Sequence, residues 1–399
     1  MSIRILGIGD TANNIAVLRK FTRRSKIDLI EERNVLYPEI INKTSGVMTF
    51  KERTLDQVRE LRMLRDKYDL FLVSSWQSAR LAYMAGLRYI WLFNGDDIRH
   101  PLFVKSKFNN VTLLERFFYK KVFDKIAAYV AIYHDSYFDL KNYVAEPILI
   151  HALVDTNLFN PDVKPLNMPK DKFTFFSPSR IGPFKGLDVI WEAIRQCKTD
   201  FVVLQVNWLD TYPPEVAIKS KQILSSKPEQ VKLIPLVKHA EMANYYAYTD
   251  AVLGQISITG GIGSTEREAA FCKKPLITYL NPNYSFEVDG KTIPVPWYPK
   301  SRNDKELAEV IDRMVCSKSF RKRIAEEGYC FVNSVNNPLK QAEKYDQLFE
   351  NVLKKDYRKP SNVELNFRKM LFLLAYYSKL RRVVTKLRIL LGLGPGKED

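Results

Sequence analysis

Cysteine is scarce in this chain: of 399 residues only Cys197, Cys272, Cys316 and Cys330 are cysteine, and no two form a C-x-x-C pair. Neither a disulfide framework nor a zinc cage is therefore expected, and a reduced, cytoplasmic setting fits best. Histidine is as sparse, with four copies, and His100 and His134 have no partner at metal-ligand spacing, so both read as structural or solvated. No long hydrophobic run exists either. The longest near-apolar stretch, Met370 to Tyr377, is about half of what a bilayer-spanning helix needs. The opening MSIRILGIGD enters an apolar strand at once, which leaves no room for a signal peptide, and no internal repeat at solenoid periods is present. Acidic residues are outnumbered 45 to 62, a net charge of +17. Such an excess favours an anionic partner: nucleic acid, a phospholipid surface or a phosphorylated small molecule.

What is present is alternation. With 46% hydrophobic residues the chain can fill two cores. Apolar strand candidates at 3–8, 70–73, 89–93, 127–132 and 148–150 are separated by helical stretches at 15–22, 55–68 and 79–85. A polar stretch follows (155–170), and the pattern resumes with strands at 173–177, 201–206, 231–236, 251–254 and 275–279. This is βαβ grammar for parallel sheets. The expected architecture is α/β: two doubly wound Rossmann-like domains facing a cleft, spanning 1–164 and 165–339, followed by a closing helix and a basic amphipathic tail over 340–399. Ligands of such sheets bind beyond the carboxyl ends of the strands.

Two loops of the second domain carry chemistry. In SPSRIGPFKGLDVI (177–190), Arg180 and Lys185 fall between a strand and a helix. They read either as solvated cations or as a clamp on a diphosphate, where Arg offers a planar fork and Lys a mobile point charge. About eighty residues later, GQISITGGIGSTEREAAFCKKPLITY places Gly260, Gly261 and Gly263 in a turn before a new helix. Glycines permit close backbone approach and the helix start is electropositive. Thr265 and Glu268 also fit a T-x-x-E capping box, and Glu266 and Glu287 read as surface residues.

The series S-R-x-x-x-x-K-G-x-D and then E-A-x-x-x-x-K-P-L-I resembles the donor-binding half of family 4 glycosyltransferases, which have the GT-B fold. HALVDTNLFNP (151–161) and FNGDDIRHP (93–101) are similar to two further motifs of that family, and the resemblance spans roughly residues 1–353. It implies that Arg180 and Lys185 hold the diphosphate of a nucleotide-sugar, that Glu268 meets its ribose, and that Gly261, Gly263, Ser264 and Thr265 lie against the sugar-phosphate. It also implies retention of configuration and catalysis without a metal or other cofactor. Gly9, Asn94 and Asp97 would face the acceptor, a glycan or lipid-linked sugar. The chain departs from the pattern twice: Gly260 stands where a glutamate usually contacts the transferred sugar, and Asn94 stands for a histidine. An amide can hydrogen-bond a hydroxyl but cannot take a proton.

Two alternatives follow from these residues. A degenerate transferase that binds without catalysing fits the two departures. An NAD-dependent oxidoreductase fits GIGDTA (7–12) with Glu31 about twenty residues on. The tail raises another question. Residues 366–391, NFRKMLFLLAYYSKLRRVVTKLRILL, contain Arg368, Lys369, Lys379, Arg381, Arg382, Lys386 and Arg388 and no acid. Apolar residues recur there at helical spacing, so the tail reads as an interfacial helix on the cytosolic face of an anionic membrane or as a helix packed on the first domain. No recognised nucleic-acid module accompanies these cations, so no specific nucleic-acid partner is expected.

Overall fold

The computed structural model describes residues 2–10, 13–31, 48–49, 53–95, 97–98, 111–211 and 214–390, with side chains up to Ser378. Thr11, Ala12, Arg99, His100 and Leu391, and the side chains of Lys379, Arg381, Arg382, Lys386 and Arg388, lie outside the described residues.

The first half alternates as β1 (Ile3–Ile8), α1 (Asn14–Phe21), β2 (Ser25–Glu31), β3 (Met48–Thr49), α2 (Thr54–Leu64), β4 (Leu70–Val73), α3 (Trp76–Ala85), β5 (Tyr89–Phe93), α4 (Leu113–Phe123), β6 (Ala128–Ala131), α5 (His134–Lys141) and β7 (Ile148–Leu149). Its seven strands pair in parallel in the order β3-β2-β1-β4-β5-β6-β7. Helices cover both faces, which is why β4 and β5 are buried along their whole length and read as unbroken apolar runs. Two strands beyond the sequence reading, β2 and β3, widen this sheet. In β2, Lys26 and Asp28 alternate with buried Ile27 and Leu29, so its mean hydropathy hides a clear period of two.

The second half continues as β8 (Thr174–Ser177), α6 (Leu187–Gln196), β9 (Val202–Val206), α7 (Pro214–Ser225), β10 (Val231–Ile234), α8 (His239–Tyr248), β11 (Ala251–Leu253), α9 (Ser264–Phe271) and β12 (Leu276–Ile277). Its five-stranded parallel sheet runs β10-β9-β8-β11-β12. A small hairpin, β13 (Glu287–Val288) with β14 (Lys291–Thr292), precedes α10 (Asp304–Cys316) and α11 (Lys318–Val335). The apolar face of α6, Leu187, Ile190, Trp191, Ala193 and Ile194, is buried in the core of this half.

The chain then returns to the first sheet. On α12 (Pro338–Lys354), Ala342, Tyr345, Leu348, Phe349 and Val352 join the core formed by Ile5, Ile15, Leu72 and Ile90. Its Asp346 accepts from Ser25 Oγ at 2.6 Å and from the Arg23 and Arg24 amides at 3.1 Å each. The last helix, α13 (Asn362–Leu390), lies on α3 and α4. It buries Leu365, Arg368, Leu371 and Ala375, and Arg368 donates to the Tyr83 carbonyl at 2.8 Å. The tail thus packs on the first domain through one face. Among the described residues no helix is long and apolar enough to cross a membrane.

Candidate functional site

In both sheets the strand order reverses direction beside the first strand of the half, between β1 and β4 and between β8 and β11. Crevices outside the carboxyl ends of strands at such points are where open α/β sheets take ligands. The loops leaving β8 and β11 are the two singled out by sequence.

Arg180 follows β8. Ile181 pairs with Leu209 in an isolated parallel bridge, which sets the Arg180 guanidinium 3.2 Å from the buried Asp210 carboxylate and 5.6 Å over the Trp208 ring. Lys185 ends a short 3₁₀ turn, Pro183–Lys185. Its ammonium donates to Gln255 Oε1 at 2.8 Å, and Gln255 Nε2 donates to the Gly261 carbonyl at 2.7 Å. The two loops are therefore joined through one buried amide. They also touch by backbone: Ile256 N–H donates to the Lys185 carbonyl at 3.0 Å. Gly186, at φ +74°, has no room for a side chain, since a Cβ would stand 2.3 Å from the Ile256 carbonyl oxygen.

The glycine-rich turn leads into α9, whose N-cap is Gly263, with no side chain capping the helix. The capping box expected from Thr265 and Glu268 does not form, because both residues lie inside the helix. Its free amide hydrogens leave an electropositive end between Lys185's tether and the first domain. Glu266, read from sequence as a surface residue, is 1% exposed. Its Oε1 accepts from the Gln255 backbone N–H at 2.9 Å, and a Cβ on Gly263 would stand 2.3 Å from its Oε2, so a side chain there would displace the carboxylate. Glu268 is buried as well. It accepts from His239 Nε2 at 2.8 Å and lies 3.5 Å from the Tyr246 hydroxyl. Burial pulls the His239 pKa down, but the charge and hydrogen bond of Glu268, helped by Asp155, outweigh it and hold the value above the usual one. Thr265 gives its carbonyl to Tyr246 Oη at 3.1 Å, and Ser264 Oγ lies 3.2 Å from Arg267 Nη2.

The first domain meets this turn through the start of α5. Tyr133 Oη lies 3.4 Å from both Ser264 Oγ and Arg267 Nη2, and the Arg267 guanidinium stacks 4.9 Å over the Tyr133 ring. His134 is structural: it is buried, bonds the Ser285 carbonyl at 3.0 Å and packs on Phe286, and burial lowers its pKa. Gly260 adopts φ +62°, and a Cβ there would stand 2.6 Å from the Asn281 amide nitrogen. The loop's shape therefore excludes a glutamate at that position.

Across the cleft, Gly9 (φ +66°) follows β1 and gives its carbonyl to Ser74 Oγ at 2.8 Å. Asn94 accepts from Asn14 Nδ2 at 3.0 Å and donates to the Ser74 carbonyl at 2.9 Å. Asp97 accepts from the Asn94 amide at 3.1 Å, closing its own loop. Asp10 is buried, accepts from the Ala16 amide at 2.7 Å, and is pushed up to about 7, mainly by burial. Sequence reasoning missed Gln255, His239, Glu266 and Arg267. Gln255 had a readable signal, its place at the end of a strand; His239 depends on α8 docking beside α9 and had none.

These two sheets and their facing loops define the GT-B architecture. The chain is similar to Anabaena HepE in complex with UDP and glucose (TM-score 0.63, 14% identity, covering 88% of this chain and 100% of that one). It is similar to a glycosyltransferase from Rickettsia africae (TM-score 0.61, 16% identity, 89% and 100%) and to sucrose-phosphate synthase from Thermosynechococcus elongatus (TM-score 0.62, 15% identity, 88% and 99%). No family model and no curated protein matches the sequence. At these identities the likeness is one of fold.

Proposed function

We propose that the protein is a glycosyltransferase that moves a sugar from a nucleotide-sugar to an acceptor, in the manner of the family 4 retaining enzymes it resembles. The observation that carries this reading is the joining of Lys185 to the glycine-rich turn through Gln255, on the loop that also carries Arg180, at the point where β8 and β11 reverse the strand order. Two cations and an uncapped helix start offer one anionic group a preorganised seat. As the bond between the anomeric carbon and the diphosphate oxygen breaks, its electron pair passes to the diphosphate. Arg180 and Lys185 stabilise that growing charge, and the acceptor oxygen bonds the anomeric carbon while its proton passes to the departing diphosphate. Protein cations supply this neutralisation without a metal. Glu268, oriented by His239, faces the ribose, and Gly9, Asn94 and Asp97 line the acceptor side. Known structures of the same fold with UDP and glucose bound support a nucleotide-sugar as the ligand class.

The NAD-dependent alternative is disfavoured by Asp10. Its carboxyl group already occupies the first turn of α1, where a dinucleotide's pyrophosphate would sit. The degenerate-binder reading keeps one observation in its favour, the Asn94 amide engaged by Asn14 and Ser74. Transfer of labelled sugar by the purified protein would remove it.

A lipid-linked acceptor is favoured by α13. Phe367, Met370, Leu374 and Tyr377 are exposed at spacings of three and four, forming a stripe within 366–391, a segment rich in cations and without acids. An anionic membrane suits that surface.

Binding of UDP-, GDP- and ADP-sugars to wild type and to a double variant, Arg180→Ala with Lys185→Ala, tests the donor site. The variant should stay folded and lose at least about tenfold in affinity, since each charge-assisted contact contributes about 1.5–3 kcal/mol. Unchanged affinity would count against the clamp.

A further inference from the structure

The first domain exposes apolar side chains on two neighbouring helices. The stripe on α13 is one set. The other is on α4, where Leu113 is 84% exposed and Leu114 and Phe117 are exposed as well. These three are not core residues that have slipped outward, because α4 already fills the core through Phe118 and Val122. Its outer face is therefore apolar in addition to its inner one. The start of the helix is firmly set: Thr112 caps it in a reciprocal box with Glu115, whose carboxylate accepts from the Thr112 N–H at 2.9 Å.

The two faces adjoin. α13 runs antiparallel to α4, with the Thr112 and Ser378 hydroxyl oxygens 2.9 Å apart at one end and the Phe118 and Phe372 rings 5.6 Å apart further along. Exposed Leu113 and exposed Tyr377 thus flank a single hydrogen bond between the helices. Cations border the surface. On α4, Arg116, Lys120 and Lys121 are exposed. Lys120 reaches Asp124 at 3.4 Å, and the Lys121 ammonium lies 5.3 Å over the Phe117 ring, so its stem covers apolar surface while its charge stays at the edge. Toward α2, Lys369 of α13 is crowded by like charge: burial first, and then Arg62 and Arg59, hold its pKa below the usual lysine value. Cations gathered beside an apolar stripe repel one another until an anionic surface meets them.

The acceptor side of the cleft is close to this surface. Trp76 Nε1 donates to the Asp97 carbonyl at 2.7 Å, and the Trp76 ring stands edge-on to Tyr119 of α4, centroids 5.2 Å apart. One indole links the loop assigned to the acceptor with the helix that carries Leu113.

We infer that α4 and α13 together seat the protein on an anionic lipid bilayer, with Leu113, Leu114 and Phe117 entering the lipid and the flanking cations meeting its phosphates. This extends the membrane reading of α13 and rests on it. Charge decides between occupants: a second copy of this chain would bring the same cations face to face, whereas anionic headgroups neutralise them. Seated in this way, the Asp97 loop lies one helix from the bilayer, where a lipid-linked acceptor presents its head group.

The test is sedimentation of the full chain with vesicles of equal parts phosphatidylglycerol and phosphatidylcholine, and with vesicles of phosphatidylcholine alone. The α4 variant is Leu113→Gln with Phe117→Gln, and Phe367→Gln with Leu374→Gln is its α13 counterpart. Glutamine adds no charge to repel the lipid and is a good helix former, and all four positions are exposed, so both variants should keep the wild-type Tm. The α4 variant should bind anionic vesicles about tenfold more weakly than wild type, or worse, and wild type should prefer anionic to neutral vesicles by at least a similar factor. An α4 variant that binds like wild type would overturn the role of α4, even where the α13 variant is defective. Equal binding of wild type to neutral and anionic vesicles would overturn it too. A dimeric wild type made monomeric by the α4 changes would give the face to a second copy instead. Should wild type bind neither vesicle, the membrane reading of α13 falls and that of α4 with it. No nucleotide-sugar enters these measurements, so a failed transfer assay leaves their outcome intact.

Discussion

At the scale of single residues, the turn from Gly260 to Gly263 shows how backbone shape decides chemistry. Restoring the missing carboxylate by Gly260→Glu should not help catalysis. A left-handed backbone and the Asn281 amide 2.6 Å from any Cβ make the change cost about 1–3 kcal/mol or more, readable as a lower Tm; a Tm equal to wild type would mean the loop rearranges freely. His239 makes a second prediction, in pH. Its pKa is raised in the folded protein, so the His239 contribution is fully present below its unfolded value, near 6.5, and is lost as pH rises through the higher folded value. The groups facing it are Glu268, Asp155 and Lys20. His239→Gln should therefore lower stability by about 1–3 kcal/mol at pH 6, with the gap to wild type narrowing toward pH 9. A gap that widens with pH would show that the pair is not charged as described. Neither effect was legible in sequence, since Glu268 was readable as a helix cap or a ribose ligand but not as a partner of a histidine 29 residues away.

At the scale of elements, strands buried on both faces and the loops that follow them were the most legible features. Runs such as Leu70–Val73 and Tyr89–Phe93 have no competing helical period, and the positions of Arg180 and Lys185 follow from the strand before and the apolar face of α6 after. Less was legible where polar residues interrupt the pattern, as in β2, or where tertiary contact moves a helix start, as in α9. The tail was ambiguous because α13 carries two apolar faces. One packs on α3 and α4, and the other, through Phe367 and Leu374, is about half exposed. Changing both of these to glutamate should leave the fold intact and reduce sedimentation with anionic vesicles by tenfold or more, given about 1.5–3 kcal/mol per buried side chain. Equal sedimentation of variant and wild type would sink the membrane surface.

At the scale of the whole molecule, the two halves were readable as halves, but the return of α12 was not. Its apolar face is an ordinary amphipathic stripe, and nothing in the local sequence says which sheet it covers. Ala342, Tyr345 and Phe349 complete the core of a domain whose first strand begins at Ile3. During synthesis the amino-terminal sheet must accordingly wait, one flank bare, until α12 has left the ribosome. A shortened translation product would leave that flank open to chaperones, and the order in which the lobes mature need not follow the order in which they are made.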